Sequence, residues 1–287
     1  GLTANSTFTS NVSNVAPSAP TDGNAATNAV AEGAATGTVV GVTASSSDPA
    51  SGTQSYSLSN SAGGRFAIDS ATGVVTVANG SLLNHDAATS HSITVVATDE
   101  GGLTASSSFT VSVTNAAPNV PVDANAATTS AAEGAATDAT VGLTVSSTDP
   151  SGGTVTYSLS DDAGGRFKIS SSSGVVTVAD GSLLNHDAAT SHSVTVVATD
   201  ASGLTSNATF SIAVSNVAPS AAVDGNADAN GIAEGSAAGT TVGVTANSSD
   251  PAGGTVTYSL SDSAGGRFAI EAATGVITVA AGSLLNH

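Results

Sequence analysis

The chain contains no cysteine, methionine or tryptophan, and only 4 of its 287 residues are lysine or arginine. Without cysteine, neither a disulfide scaffold nor a thiolate metal site can form. Small secreted β domains often need such a staple, so here the staple is a metal ion or nothing. Lys168 is the single lysine, which excludes a lysine–asparagine isopeptide cross-link from the other copies of the repeat described below.

The scarcity of positive charge limits the partners that the chain can have. Asp and Glu total 22 against 4 Lys and Arg, which gives a net charge of −18. Such a surface repels nucleic-acid phosphates and anionic lipids, whereas divalent cations are its natural partners. No apolar run reaches about 18 residues, so we expect no membrane insertion in this segment. No Gly-x-Ser-x-Gly elbow lies between a strand and a helix, and we predict no catalytic residues and no enzyme.

One sequence recurs along the chain at a spacing of 101 residues. Leu-Asn-His-Asp begins at Leu83 and again at Leu184, and its first three residues return at Leu285. This period is too long for a solenoid unit or a propeller blade, and it is the size of an independent small domain. We predict the last strand of a preceding copy at 1–14, complete copies at 15–115 and 116–216, and an incomplete copy at 217–287. A window cut from a longer array explains the incomplete copy; a strand supplied by a neighbouring molecule is the alternative.

Each copy has the pattern of short β-strands rather than helices. Turn signals recur about every 8–12 residues, and helical periodicity is missing. Strands are predicted near Val30, at 37–44, 54–59, 66–68, 74–77 and 92–98, and along Phe109, Val111 and Val113. Seven strands in a domain of this size indicate an immunoglobulin-like sandwich. The predicted fold class is all-β, with tandem seven-stranded β-sandwich domains in an extended array.

Five acids keep their position from copy to copy, while the other acids drift. They are Asp22/Asp123/Asp224, Glu32/Glu133/Glu234, Asp48/Asp149/Asp250, Asp86/Asp187 and Asp99/Asp200. We expect them in loops at the two ends of the sandwich, together with Asn84/Asn185 and the inter-copy residues Asn115/Asn216. Ca²⁺ takes carboxylate, amide and carbonyl oxygens of this kind. The alternative is that these acids only solubilise loops or cap turns.

The histidines raise the question of zinc. His85 and His91 flank Asp86, and they repeat as His186 and His192. Zinc usually has three or four tetrahedral ligands, and two histidines per copy are too few. A histidine that begins a strand and bonds to the backbone is the favoured interpretation.

Several short motifs together resemble a known family. In chain order they are Ala31-Glu32-Gly33, Ser47-Asp48-Pro49, Gly64-Arg65-Phe66, Leu83-Asn84-His85-Asp86 and Val96-Ala97-Thr98-Asp99. Their order and spacing resemble a cadherin repeat, and more closely the cadherin-like repeats of large bacterial surface adhesins. The resemblance covers nearly the whole chain. It implies a cadherin-like sandwich with calcium held between successive domains.

The resemblance also implies a ligand set at each junction. Between the two complete copies this set is Glu32, Asn84, Asp86, Asn115, Asp149 and Asp200, whose four carboxylates would balance two Ca²⁺. At the following junction it is Glu133, Asn185, Asp187, Asn216 and Asp250, and Asp48 and Asp99 belong to the junction before the first copy. The sequence departs from the family pattern, because Ala50, Ser151 or Ala252 replaces the second aspartate of Asp-x-Asp and the linker has lost its acids. We therefore expect one or two ions per junction instead of three.

Three functions remain open at this stage. The first is a calcium-stiffened structural or adhesive rod, extracellular or on a bacterial cell surface, as in adhesion or a biofilm matrix. The second is a filament or sheath that assembles from copies of the chain. The third, a glycan- or protein-binding module, ranks last because aromatic residues make up only 3% of the chain.

Overall fold

The computed structural model describes residues 1–286, and His287, the end of the third Leu-Asn-His sequence, lies outside them. The chain divides into two compact units. Unit 1 comprises Gly1–Val120, Ser147–Thr156 and Ala198–Ser206, and the rest of the described chain forms unit 2. Unit 1 thus contains the first copy together with two loops of the second copy.

The first copy forms two four-stranded sheets. Its strands are β1 (Thr21–Asp22), β2 (Ala29–Ala31), β3 (Val39–Ser45), β4 (Gln54–Asn60), β5 (Phe66–Ile68), β6 (Val74–Val77), β7 (Ser90–Asp99) and β8 (Thr104–Thr114), with a short 3-10 helix at Gly80–Leu82. The strand orders are β1-β3-β6-β5 and β2-β8-β7-β4. Strand β2 pairs parallel with β8, and the other pairs are antiparallel.

The second copy repeats this topology. Its strands are β9 (Val122–Asp123), β10 (Ser130–Ala132), β11 (Thr140–Ser146), β12 (Thr156–Asp161), β13 (Phe167–Ile169), β14 (Val175–Val178), β15 (Ser191–Thr199) and β16 (Thr205–Ser215), with a 3-10 helix at Gly181–Leu183. The strand orders are β13-β14-β11-β9 and β10-β16-β15-β12.

The third copy forms one sheet within the described residues, in the order β17-β18-β20-β19. Its elements are β17 (Val223–Asp224), β18 (Thr241–Asn247), β19 (Phe268–Ile270), β20 (Val276–Val279) and a 3-10 helix at Gly282–Leu284. Val242, Val244, Leu260, Phe268 and Ile277 line an open apolar depression beside this sheet.

Strand β7 illustrates how the sequence selects a sandwich. Ile93, Val95 and Ala97 alternate along the strand and are all 0% exposed, whereas Thr94 and Val96 between them are partly exposed. Because successive side chains of a strand point to opposite faces, this alternation buries one face of the sheet against the other sheet. The core is aliphatic, with one buried phenylalanine in each complete copy.

The predicted all-β sandwich is confirmed, with a difference at its start. The first strand is split, because β1 pairs with β3 in one sheet and β2 pairs with β8 in the other. The chain crosses between the sheets just after Asp22, whose Oδ1 accepts hydrogen bonds from Asn24 N (3.0 Å) and Thr43 N (3.1 Å). Each complete copy thus has eight strand segments rather than seven.

Residues 1–14, predicted as a strand, form none. Their sequence matches that of β8, which lies between β2 and β7 in the first copy. The assignment of residues 1–14 to a preceding copy remains a prediction.

Candidate cation site between successive copies

Apart from Asp48 and Asp99, which lie before the first copy, the predicted ligands lie at two junctions. We call the junction of 15–115 with 116–216 joint 1, and the junction of 116–216 with 217–287 joint 2. All residues predicted at joint 1 belong to unit 1, and all those predicted at joint 2 belong to unit 2. Each joint therefore lies within a single compact unit.

Glu32 is a buried carboxylate, only 2% exposed, directly after β2. The ladder between β2 and β8 continues through a hydrogen bond from Glu32 N to Thr114 O (3.0 Å), which fixes the side chain beside the segment leaving β8. Its Oε1 accepts from Ala116 N and its Oε2 from His85 N, both at 2.9 Å. Glu32 thus ties the inter-copy segment to the loop that follows the 3-10 helix, and backbone donors engage both oxygens.

Asn84 and Asp86 lie in the loop after the 3-10 helix. Asn84 Oδ1 accepts a hydrogen bond from Ala87 N (2.8 Å), so this asparagine caps a turn. Asp86 is exposed as a whole residue, and its Oδ1 accepts from Ser202 Oγ at 2.6 Å. Because Ser202 belongs to the second copy, this hydrogen bond crosses joint 1.

Asp149 lies in the turn after β11 and is 6% exposed. Its Oδ1 accepts from Ser151 N (2.8 Å), Ser151 Oγ (2.6 Å) and Gly153 N (3.1 Å). Its Oδ2 is buried, and no donor among the described residues reaches it. A buried carboxylate oxygen without a partner is costly, so this atom is the strongest indication that joint 1 can hold a cation.

The Asp149 carboxyl is ionised at neutral pH. Burial alone would raise its pKa, but hydrogen bonds from Ser151, Gly153 and Gly152 together outweigh the burial and hold the pKa below its ordinary value. The unpartnered Oδ2 therefore carries negative charge.

Asp86 and Asp149, from successive copies, converge on one point. A methyl group placed on Gly153 would lie 3.1 Å from Asp86 Oδ2 and 3.3 Å from Asp149 Oδ1. Two like charges that both approach this point repel each other, and a cation between them would replace this repulsion by attraction.

Asn115 and Asp200 form a second contact at joint 1. Asp200 directly follows β15 and is 6% exposed. Asn115 Nδ2 donates to Asp200 Oδ2 (3.0 Å), and Leu204 N donates to its Oδ1 (2.9 Å). Asp99, 7% exposed, meets Asn14 before the first copy in the same way, Nδ2 to Oδ2 at 3.0 Å. The carboxylates of Asp200 and Asp99 thus accept hydrogen bonds from uncharged donors.

Joint 2 repeats the arrangement of joint 1 around its glutamate. Glu133, 3% exposed, accepts from Val217 N at Oε1 (2.7 Å) and from His186 N at Oε2 (3.0 Å). Asn185 donates through Nδ2 to Ala252 O (3.2 Å), which links the second copy to the third.

The carboxylate pair also recurs at joint 2. A methyl group on Gly254 would lie 2.7 Å from Asp187 Oδ2 and 3.1 Å from Asp250 Oδ1. Asn216 is exposed, and Asp48 before the first copy accepts from Ala50 N (2.6 Å). The ligands predicted from the sequence thus lie at the joints. There they form carboxylate pairs and turn caps, and not a single cluster.

Within residues 1–286, no three Asp, Glu or His side chains converge closely enough to form a metal site by themselves. A cation at either joint would need further oxygens from amides, carbonyls, hydroxyls or water, all of which Ca²⁺ accepts. Arg65 does not neutralise the acids, because it donates to Ala62 O (2.8 Å) and Leu82 O (2.9 Å). The orphaned Asp149 Oδ2 and the oxygen-rich surroundings fit calcium.

Sequence reasoning missed three residues that contact the pair at joint 1: Gly153, Ser151 and Ser202. Gly153 recurs as Gly52 and Gly254, and this recurrence was a usable signal. Ser151 stands at the position of the second aspartate of Asp-x-Asp, where the family pattern counts it only as a lost ligand, and Ser202 gave no signal, because Gly101 stands at its position in the first copy.

Comparison with known proteins agrees with the fold. A family model described as Cadherin domain matches residues 27–114, from just before β2 to the end of β8. This part of the first copy is therefore similar in sequence to cadherin domains. No curated protein matched the chain.

Solved structures of cadherins are similar to this chain. Mouse cadherin-23 EC22-24 is 23% identical, over 88% of this chain and 84% of that chain, with a TM-score of 0.40. Human CDH23 EC21-23 is 22% identical, over 89% and 88%, with a TM-score of 0.43. The protocadherin gammaB4 extracellular domain is 22% identical, over 96% of this chain and 45% of that chain, with a TM-score of 0.41. Among residues 1–286, no helix is long and apolar enough to cross a membrane.

Proposed function

We propose that this chain is a segment of an extracellular, adhesive or structural array on a bacterial surface, whose joints are stiffened by Ca²⁺. The observation that carries the proposal is the buried Asp149 carboxylate: its Oδ2 has no partner among the described residues, and its Oδ1 approaches the same point at Gly153 as Asp86 Oδ2 from the preceding copy. A charge in this position is favourable only when a cation or donor meets it.

The proposed ligands are divided between the two joints. At joint 1, Asp86 and Asp149 would contact the ion directly, and Glu32, Asn84, Asn115 and Asp200 would complete or support the site. At joint 2, Asp187 and Asp250 would contact the ion directly. Glu133, Asn185 and Asn216 would complete or support the site. Asp48 and Asp99 would serve the joint before the first copy.

Stiffening would follow from electrostatics. Without a cation, the two carboxylates of each pair would repel across the joint, and this repulsion would oppose the hydrogen bonds that link the copies, from Ser202 to Asp86 and from Asn185 to Ala252. A divalent ion would couple both loops through the same oxygens, and Glu32 already ties the linker to one of them through Ala116 N and His85 N. Bound Ca²⁺ would therefore restrict bending between successive copies.

We favour a role as a spacer within the array over a role in the tight binding of a partner protein. Interface hot spots are enriched in Trp, Tyr and Arg. This chain has no Trp and 3 Tyr, and its arginines bond to backbone carbonyls of their own copies. A bacterial source rests on the resemblance of the repeat to those of bacterial surface adhesins.

Small-angle scattering with and without a chelator tests the proposal. We expect the maximum dimension and the apparent stiffness to fall when EDTA removes Ca²⁺ and to recover when Ca²⁺ returns. Asp149→Asn should remove much of this response, whereas Asp228→Asn, which makes the same charge change at an exposed residue outside the joints, should leave it intact. Identical scattering in both buffers would refute the stiffening role, and a sedimentation coefficient that rises with concentration would favour assembly instead.

A further inference from the structure

Two serines of the second copy lie against the carboxylate pair of joint 1. Ser202 Oγ donates to Asp86 Oδ1 and Ser151 Oγ donates to Asp149 Oδ1, each at 2.6 Å. Hydrogen bonds from hydroxyls to carboxylates at such distances are charge-assisted and stronger than neutral ones. Each serine therefore holds one carboxylate by its Oδ1 atom and leaves the Oδ2 atom available.

Neither serine engages the Oδ2 atom of its aspartate. Asp149 Oδ2 is buried without a donor among the described residues, and Asp86 Oδ2 lies toward Gly153, whose amide nitrogen bonds to Asp149. Asp86 is exposed, so without a tether its side chain would turn to water and away from the like charge of Asp149. Ser202 opposes this rotation.

These serines are not a general feature of the repeat. The position of Ser151 is occupied by Ala50 in the first copy and Ala252 in the third, and the position of Ser202 is occupied by Gly101 in the first. Ala252 N still donates to Asp250 Oδ1 (2.9 Å), as Ser151 N does to Asp149 Oδ1 (2.8 Å). The backbone of the turn is thus retained, and only the hydroxyl differs.

We propose that Ser151 and Ser202 are positioning residues that pre-organise the Asp86–Asp149 pair, so that joint 1 binds Ca²⁺ more tightly than it would without the hydroxyls. The inference rests on the proposed function of the joint. Pre-organisation raises affinity because the ordering of the Asp86 side chain is completed before the ion binds. Joints along the array would then differ in the calcium concentration at which they stiffen.

Calorimetric titration of the 287-residue chain with CaCl₂ tests this inference. The calcium-binding step that is present in the wild type and missing in Asp149→Asn is assigned to the class of sites at joint 1. Ser202→Gly and Ser151→Ala should each weaken that class by about fivefold, the effect of one hydrogen bond, and leave the other class unchanged. Ser202→Thr, which keeps a hydroxyl, should retain most of the affinity. Ala252→Ser should strengthen joint 2.

Failure of this inference can be distinguished from failure of the proposed function. Calcium uptake by the wild type with equal or tighter binding in Ser202→Gly and Ser151→Ala overturns the positioning role alone, because the hydroxyls would then be bystanders or competitors. No uptake by the wild type overturns both. Melting curves in EDTA serve as the folding control, and a variant that melts as the wild type does but binds more weakly supports the positioning role.

Discussion

Asp86 Oδ2 and Asp149 Oδ1 lie 3.1 Å and 3.3 Å from the point that a side-chain methyl group on Gly153 would occupy. Two carboxylates more than sixty positions apart in the sequence thus share one small space, and a glycine keeps it open. The equivalent space at joint 2 is bounded by Asp187, Asp250 and Gly254.

Gly153→Ala should therefore weaken calcium binding at joint 1, because the added methyl group would fill the space between the carboxylates. We expect a decrease of about tenfold or more in affinity, the effect of losing roughly 1.4 kcal/mol. Gly52→Ala is the matched control, since a methyl group there meets its nearest atoms, of Asp48, only at 3.8 Å. Equal effects of the two substitutions on calcium titrations of joint 1 would argue against a site at Gly153.

Glu32→Gln should destabilise the first copy even in the presence of a chelator. The side chain accepts backbone hydrogen bonds at both oxygens, and an amide would present N–H to one of these donors. The expected loss is about 2 kcal/mol in the free energy of unfolding, measured by urea denaturation in EDTA. Glu133→Gln should act equally on the second copy, where the donors are Val217 N and His186 N. If Glu32→Gln changed calcium affinity but not stability in EDTA, the structural role assigned to Glu32 would be wrong.

Gly33→Ala should disturb the packing of joint 1. Gly33 has a φ of +63°, and a methyl group on it would lie 2.7 Å from Pro150 O. Gly37→Ala is the control, because Gly37 has a φ of +90° with nothing within 4 Å of the added group. Both alanines adopt a disfavoured backbone conformation, so the difference isolates the contact with Pro150. We expect Gly33→Ala to lower the free energy of unfolding by about 1–2 kcal/mol more than Gly37→Ala. Equal losses would mean that Pro150 moves freely.

The strands were largely predictable from the sequence, because their signals are local. Residues 66–68 and 74–77 have the predicted bounds, since alternation and the intervening Asp69–Gly73 turn are both visible in the sequence. The split of the first strand was not predictable, because it depends on β1 and β2 pairing with strands of different sheets.

The site was predictable only in part. The recurrence of acids and the family resemblance named the residues at the joints, but not which atoms are already engaged. The bond between Ser202 and Asp86 spans 116 positions and involves a residue that is glycine in the first copy, so no repeat-based argument could find it. The hydrogen bond from Ala116 N to Glu32 depends on the β2–β8 register, and the one from His85 N depends on the position of the loop after the 3-10 helix; both are tertiary information.

The stability of the complete copies should depend on pH through His91 and His192. Burial lowers the pKa of each histidine below 6.5, and Arg65 or Arg166 lowers it further. Each ring packs against a core phenylalanine, and no partner among the described residues reaches either Nε2. The unfolded chain therefore takes up protons first, and the free energy of unfolding falls as the pH drops from about 6.5 to the folded-state pKa.

Melting temperatures in EDTA between pH 7.5 and pH 5 measure this effect. The double substitution His91→Gln and His192→Gln should reduce the decrease of the melting temperature over that range, because glutamine does not titrate. A decrease identical to that of the wild type would assign the acid sensitivity to other groups.

Equilibrium dialysis, which counts the calcium ions bound by each chain, is the decisive measurement for the proposed joints. We expect at least one Ca²⁺ per joint for the wild type, the loss of the joint 1 ion in Asp149→Asn, and no loss in Asp228→Asn. A wild-type chain that binds no calcium, or an Asp149→Asn variant that binds as much as the wild type, would contradict this expectation.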